Sequence, residues 1–153
     1  MITDRPLSEA KELFLQQVDK GTHCPCCGRY TKVYRRKLNA GLALFLIRAA
    51  RKYDDKWFHV NHDVKDHREF NADYGKLEYW GLIEPMSPTD KRPTSGYWRV
   101  TDKGRQFVRG EIALPAYMLV LNNKVLEAAQ ACIDIRDALR SGGFDYAELM
   151  NAA

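Results

Sequence analysis

Between Leu38 and Tyr53 the side chains of Leu38, Leu42, Phe45, Ala49 and Tyr53 recur three or four residues apart, and Leu46 and Ala50 widen the stripe. That period marks the buried face of an α-helix, and a helix with one apolar face needs other elements packed on it. Asn39 sits where an N-cap belongs. The elements that follow are all short. Trp57 to Val60 has strand composition, His62 to Glu69 is a charged helical segment, and Asn71 to Trp80 reads as a helix with Tyr74, Leu77 and Trp80 inward. Gly81 is its left-handed stop. Leu82 and Ile83 open a strand, and Glu84 to Gly96, with Pro85, Pro88 and Pro93, is a loop. Tyr97 to Val100 alternates, with Trp98 and Val100 on one face and Tyr97 and Arg99 on the other. Thr101 and Asp102 start a further helix in which Gly104 allows close packing and Phe107 and Val108 are buried. This mixture predicts an α+β fold. A chain of 153 residues suffices for one ordinary core. Its 45% hydrophobic and 29% charged content excludes collagen, low-complexity disorder and a coiled-coil rod.

The flanks have their own signals. Leu7, Ala10, Phe14 and Val18 lie at helical spacing, Gly21 ends that helix, and His23 to Arg29 is a tight cysteine-rich turn. Tyr30 to Lys37 alternates loosely and reads as a strand. Toward the other end, Tyr117 to Leu121 and Lys124 to Leu126 flank Asn122-Asn123, residues that tolerate the left-handed angles of a two-residue hairpin turn. The hairpin is apolar on both faces, so either the first helix or a second copy of the chain must cover it. Asp134 to Arg140 and Phe144 to Met150 are two short helices hinged at Gly142-Gly143. Three segments result: residues 1–37 with a helix and cysteine knuckle, 38–110 as the central domain, and 111–153 as a hairpin with a helical extension.

Charge is distributed in blocks. Residues 29–56 hold nine Lys and Arg against two Asp and Glu, residues 57–89 three against six, and residues 90–109 six against two. Two basic blocks around an acidic one suit a polyanion if they converge, and are solvated faces if they do not. The longest apolar run, Ala40 to Ile47, has 8 residues against the ~20 a membrane span needs. The start, MITDRPLSEAKELF, has no apolar segment behind a basic one, so the expected location is the cytoplasm, without membrane contact.

The segments LEYWGLIE, Leu77 to Glu84, and GYWRVTDKGRQFV, Gly96 to Val108, resemble the corner of a winged helix-turn-helix domain. There a leucine-bearing recognition helix ends in a glycine and two apolar residues, and the second wing strand runs into a Thr-x-x-Gly helix start. The resemblance covers residues 38–110. It implies a DNA-binding module with the Asn71 to Trp80 helix in the major groove and the wing on phosphates. Asn71 and Lys76 would then face the groove, and Lys91, Arg92 and Arg99 would serve the wing. Asp73 and Glu78 put two carboxylates beside Lys76, which disfavours base readout and leaves room for protein binding, a common second use of winged helices. A second basic surface runs through Arg29, Lys32, Arg35, Arg36 and Lys37 with Tyr30 and Tyr34 interleaved. On a strand Tyr30, Lys32, Tyr34 and Arg36 share a side, where cations can meet phosphates and tyrosines can stack on bases.

The run Cys24-Pro25-Cys26-Cys27-Gly28 is similar to the CPxCG turn of zinc ribbons and rubredoxin-like knuckles. Two thiolates three residues apart across a tight turn can hold two corners of a zinc tetrahedron. No second CxxC exists, because Cys132 stands alone. His59 and His62 are the expected completing pair for Cys24 and Cys27, with His23 and Cys26 nearby as alternatives, and the ion's role would be structural. A knuckle held by packing, or a site completed by another chain, accounts for the same residues. The chain contains no GxSxG, HExxH or P-loop pattern, so no catalytic role is expected. The expected function is a small cytoplasmic nucleic-acid-binding protein in transcription regulation, most simply a binder of duplex DNA and capable of homodimerisation. The alternative is a winged-helix adaptor that binds another protein.

Overall fold

The computed structural model describes residues 5–60, 73–86 and 96–151. It is a mixed helix and sheet structure, as the α+β expectation has it, and its contacts divide the chain into two compact units. One unit comprises Met1–Arg36 with Tyr117–Ala129, the other Lys37–Ala116 with Gln130–Ala153. The units do not follow the three sequence segments in order. The hairpin joins the N-terminal segment, and the C-terminal helices join the central one.

The first unit begins with helix α1, Leu7–Gln17. Strands β1, Thr22–His23, and β2, Tyr30–Thr31, then pair as an antiparallel hairpin around the cysteines. The strand expected over Tyr30 to Lys37 is interrupted at Lys32 and Val33 and resumes as β3, Tyr34–Lys37. It forms one edge of a three-stranded sheet, order β3-β8-β9, with β8 at Tyr117–Leu121 and β9 at Lys124–Ala128. Asn122 and Asn123 have φ 51° and 65°, the paired left-handed angles that suit the right-handed twist of the flanking strands. Ala10, Val18, Val33, Met118 and Val120 are buried and form this unit's apolar interior.

In the second unit helix α2, Ala40–Tyr53, starts where the sequence indicates, with the Asn39 side chain accepting from the Leu42 amide at 3.0 Å. Its stripe buries Leu42, Phe45, Leu46 and Ile47. Strand β4 is Phe58–His59, β5 Ile83–Pro85 and β6 Tyr97–Val100, and their sheet order is β4-β6-β5. Between β4 and β5 the described residues form a 3-10 helix, Tyr74–Trp80, instead of an α-helix. The reason is visible in the spacing: Tyr74, Leu77 and Trp80 are each three apart, the repeat of a 3-10 turn, so all three stay on one side. Leu77 and Trp80 are buried, and the Trp80 indole donates to the Pro115 carbonyl at 2.8 Å. Tyr74 stacks on Phe45 at 5.3 Å and meets Trp98 edge-on at 5.6 Å. Burial raises the Tyr74 phenol above its ordinary range, partly offset by a hydrogen bond with Trp98.

Helix α3, Asp102–Val108, is capped by Thr101, whose hydroxyl accepts from the Gly104 amide at 3.1 Å and donates to the Gly81 carbonyl at 2.6 Å. Strand β7, Leu114–Pro115, pairs with β10, Cys132–Ile133, and the chain ends in α4, Ile135–Arg140, and α5, Tyr146–Asn151. Asp134 and Asp137 close a capping box at the start of α4, and Ile135, Ala138 and Leu139 are buried. Among the described residues no helix is long and apolar enough to cross a membrane.

Candidate nucleic-acid interface

The expected contact residues fall in different settings. In the second unit, Lys76 lies on the 3-10 helix and its ammonium is 2.9 Å from the Asp73 carboxylate. Arg99 lies on β6 directly opposite Glu84 of β5, forms an ion pair with it, and lays its guanidinium over the Trp57 ring at 4.6 Å. Such half-exposed pairs contribute little to stability, ~0 to 1 kcal/mol. They do cancel the local charge an anion would sense. Beside Arg99 a cleft of about 470 Å³ holds Arg99, Lys103 and Arg105 against Asp55, Glu84 and Asp102, a balance that favours neither sign. Asn71, Lys91, Arg92 and His62 lie outside the described residues.

The basic run of the first unit, which ends on Lys37 just past the unit's boundary, is different. Arg29, Lys32, Arg35, Arg36 and Lys37 fall within nine consecutive positions without an acidic residue among them. Among the described residues none of the five forms an ion pair. Three of them have aromatic neighbours. The Arg35 guanidinium lies 3.9 Å from the Tyr117 ring centre, Arg36 lies 4.6 Å from Tyr34, and the Lys32 ammonium lies 5.7 Å from the same ring. Cation–π contacts hold these side chains in position while leaving the charge uncancelled. The buried Nε of Arg36 has no hydrogen-bond partner among the described residues. Thr31 and Val33 turn inward while Tyr30 and Tyr34 are exposed, which is the alternation expected from the sequence up to that point. Tyr117 under Arg35 and Glu84 opposite Arg99 were not legible as partners. Both contacts depend on which strands pair, and no local signal carries that.

The cysteine knuckle sits between β1 and β2. The Cys24 amide donates to the Arg29 carbonyl and the Gly28 amide to the Cys24 carbonyl, both at 2.8 Å, which closes the turn. Gly28 adopts φ 74°, a left-handed angle that glycine takes without steric cost. The backbone N–H groups of Cys27 and then Cys26 donate to the Cys24 sulfur and hold its thiol below the ordinary range, with the Cys27 side chain adding to this and partial desolvation opposing it. Cys24 is half-buried and Cys26 and Cys27 are exposed. Among the described residues no group of three or more His, Cys, Asp and Glu side chains could hold a metal ion. His59, in the other unit, packs edge-on against Tyr97 at 4.9 Å.

Compared with protein families, with curated proteins and with solved structures, the chain matches none.

Proposed function

We propose that the protein is a small nucleic-acid-binding regulator whose second unit is a winged helix-turn-helix. The observation that carries the function is the run of five cations at Arg29 to Lys37, each without a carboxylate partner among the described residues. Stability does not call for such a run, since adjacent like charges repel, whereas phosphates would neutralise it with release of counterions. Support for the winged helix is topological. Among the described residues the order helix, strand, helical segment, strand, strand, helix, with sheet order β4-β6-β5, is what that family's elements would produce. On this reading Lys91 and Arg92 add phosphate contacts at the wing tip, while Arg99 and Lys76 act mainly within their ion pairs. A structural zinc ion held in part by Cys24 and Cys27 belongs to the same reading. The feature that supports these two ligands is the closed turn between Cys24 and Gly28.

A salt titration tests the function. If all five cations of the run meet duplex phosphates, log K against log salt should fall with a slope of about −4.5. The Arg35→Glu/Arg36→Glu variant should bind far more weakly with an unchanged melting temperature. A slope near zero with an undiminished variant would instead favour the adaptor reading, in which another protein is the partner.

A further inference from the structure

The basic run is more than a charge patch, because two exposed tyrosine rings are built into it. Tyr30 is 53% and Tyr34 44% exposed, on a segment whose alternate residues Thr31 and Val33 are buried. An exposed aromatic ring costs contact with water, and the surrounding structure holds both rings in place. The Tyr30 hydroxyl closes over Gly21, where a β-carbon would lie 2.7 Å from the ring's Cζ, so any larger residue there would displace the ring. His23 braces Tyr30 edge-on at 5.4 Å from the paired strand. Tyr34 has the Arg36 guanidinium over it at 4.6 Å and the Lys32 ammonium at 5.7 Å.

We infer that this surface, formed by Tyr30, Lys32, Tyr34 and Arg36, is a binding site for single-stranded nucleic acid. The inference rests on the nucleic-acid reading above and narrows it to a class of ligand. In a duplex the base faces are stacked on one another and only their edges reach the grooves, so a protein ring face finds no partner there. A single strand offers its base faces to aromatic rings and guanidinium planes, and its phosphates to the cations between them. Tyr30 supplies a braced ring, Tyr34 with Arg36 a second stacking surface, and Lys32 further charge. Such a site tolerates sequence, since every base has a π-face.

The test uses the full chain, fluorescence anisotropy, a short labelled oligothymidylate and a random-sequence duplex. Tyr34→Ala should weaken oligothymidylate binding by about 5- to 100-fold, as loss of one stacking partner does. Tyr34→Phe, which keeps the ring, should retain wild-type affinity, and duplex binding should be indifferent to both changes. Tyr30→Ala should behave like Tyr34→Ala. Because it also removes a bracing contact, its melting curve is recorded and Tyr30→Phe serves as its control. If the alanine variants bind oligothymidylate as well as wild type does, phosphates alone hold the strand and the inference is overturned. It is overturned equally if polyglutamate displaces the oligonucleotide with equal potency, which would assign the patch to an acidic protein. If wild-type protein binds neither the single strand nor the duplex, the nucleic-acid reading itself fails.

Discussion

Replacing Gly104 by alanine tests the corner on which the second unit is built, because two opposed effects act there and their difference sets the sign. At an exposed position in a helix, glycine to alanine stabilises by about 0.5 to 1 kcal/mol through the unfolded chain's lost freedom. Gly104 is not exposed. A β-carbon on it would stand 2.7 Å from Val100 Cγ1 and 3.2 Å from the Leu82 carbonyl carbon, and closer still to the Leu82 oxygen. That oxygen accepts the Thr101 amide at 3.0 Å, and Leu82 and Val100 are 0% and 1% exposed, so neither neighbour can retreat into solvent. Overpacking of this kind costs ~1 to 3 kcal/mol, and weakening the Thr101 hydrogen bond or its cap adds ~0.5 to 1.5 kcal/mol. The steric terms exceed the propensity gain, so Gly104→Ala should lose about 1 to 3 kcal/mol in urea unfolding at an unchanged m-value. A variant as stable as wild type, or more so, would mean that α3 does not pack against the end of β5, and the close approach at that corner would be refuted with it.

Leu77→Ala, which empties a fully buried position on the 3-10 helix, should cost ~2 to 5 kcal/mol by chemical denaturation; a near-neutral value would remove that helix from the core. Cys24→Ser should lower the melting temperature and release zinc if the knuckle holds a structural ion, read by metal analysis of the purified chain beside its thermal melt. A wild-type protein that is metal-free and equally stable would leave the turn held by its backbone hydrogen bonds alone.

The parts of the fold legible in the sequence are those fixed by neighbours within one turn or one strand. Asn39 and Thr101 cap the helices they precede, Gly81 ends the segment before β5 with φ 73°, and Trp98 and Val100 share the buried face of β6. Asn122 and Asn123 make the hairpin turn for the same local reason. Between β4 and β5 the inward residues Tyr74, Leu77 and Trp80 were legible, and their unbroken three-residue repeat is the signal that distinguishes the 3-10 form from an α-helix. What the sequence conceals is anything set by contacts far along the chain. Arg99 looks like a wing cation until β5 is placed opposite β6, and then Glu84 faces it. The apolar hairpin could not reveal that it groups with the first 36 residues, because both faces carry similar side chains and a period of two gives no preference. The candidate site was half legible. Its cations and tyrosines lie close together in the chain, but that the cations lack carboxylate partners among the described residues is a property of the packed structure.

This last property sets the run apart from the cations of the second unit. In the second unit cations find acids at short range: Lys76 meets Asp73, Arg99 meets Glu84, Arg105 meets Asp102 and Arg109 meets Glu111. Within Arg29 to Lys37, Lys32, Arg35 and Arg36 meet tyrosines instead, and surface cation–π contacts return only ~0.5 to 1 kcal/mol each while like charges on adjacent positions repel. A sequence shaped for stability alone would place glutamate among them, as cross-strand pairing rewards opposite charges. On the proposed reading a nucleic-acid ligand would supply the missing negative charge, and the exposed Tyr30 and Tyr34 side chains would meet its flat, apolar bases. Charge reversal in the run should consequently leave the melting temperature unchanged while binding is lost. That loss of affinity without loss of stability is what a packing role for these residues could not produce.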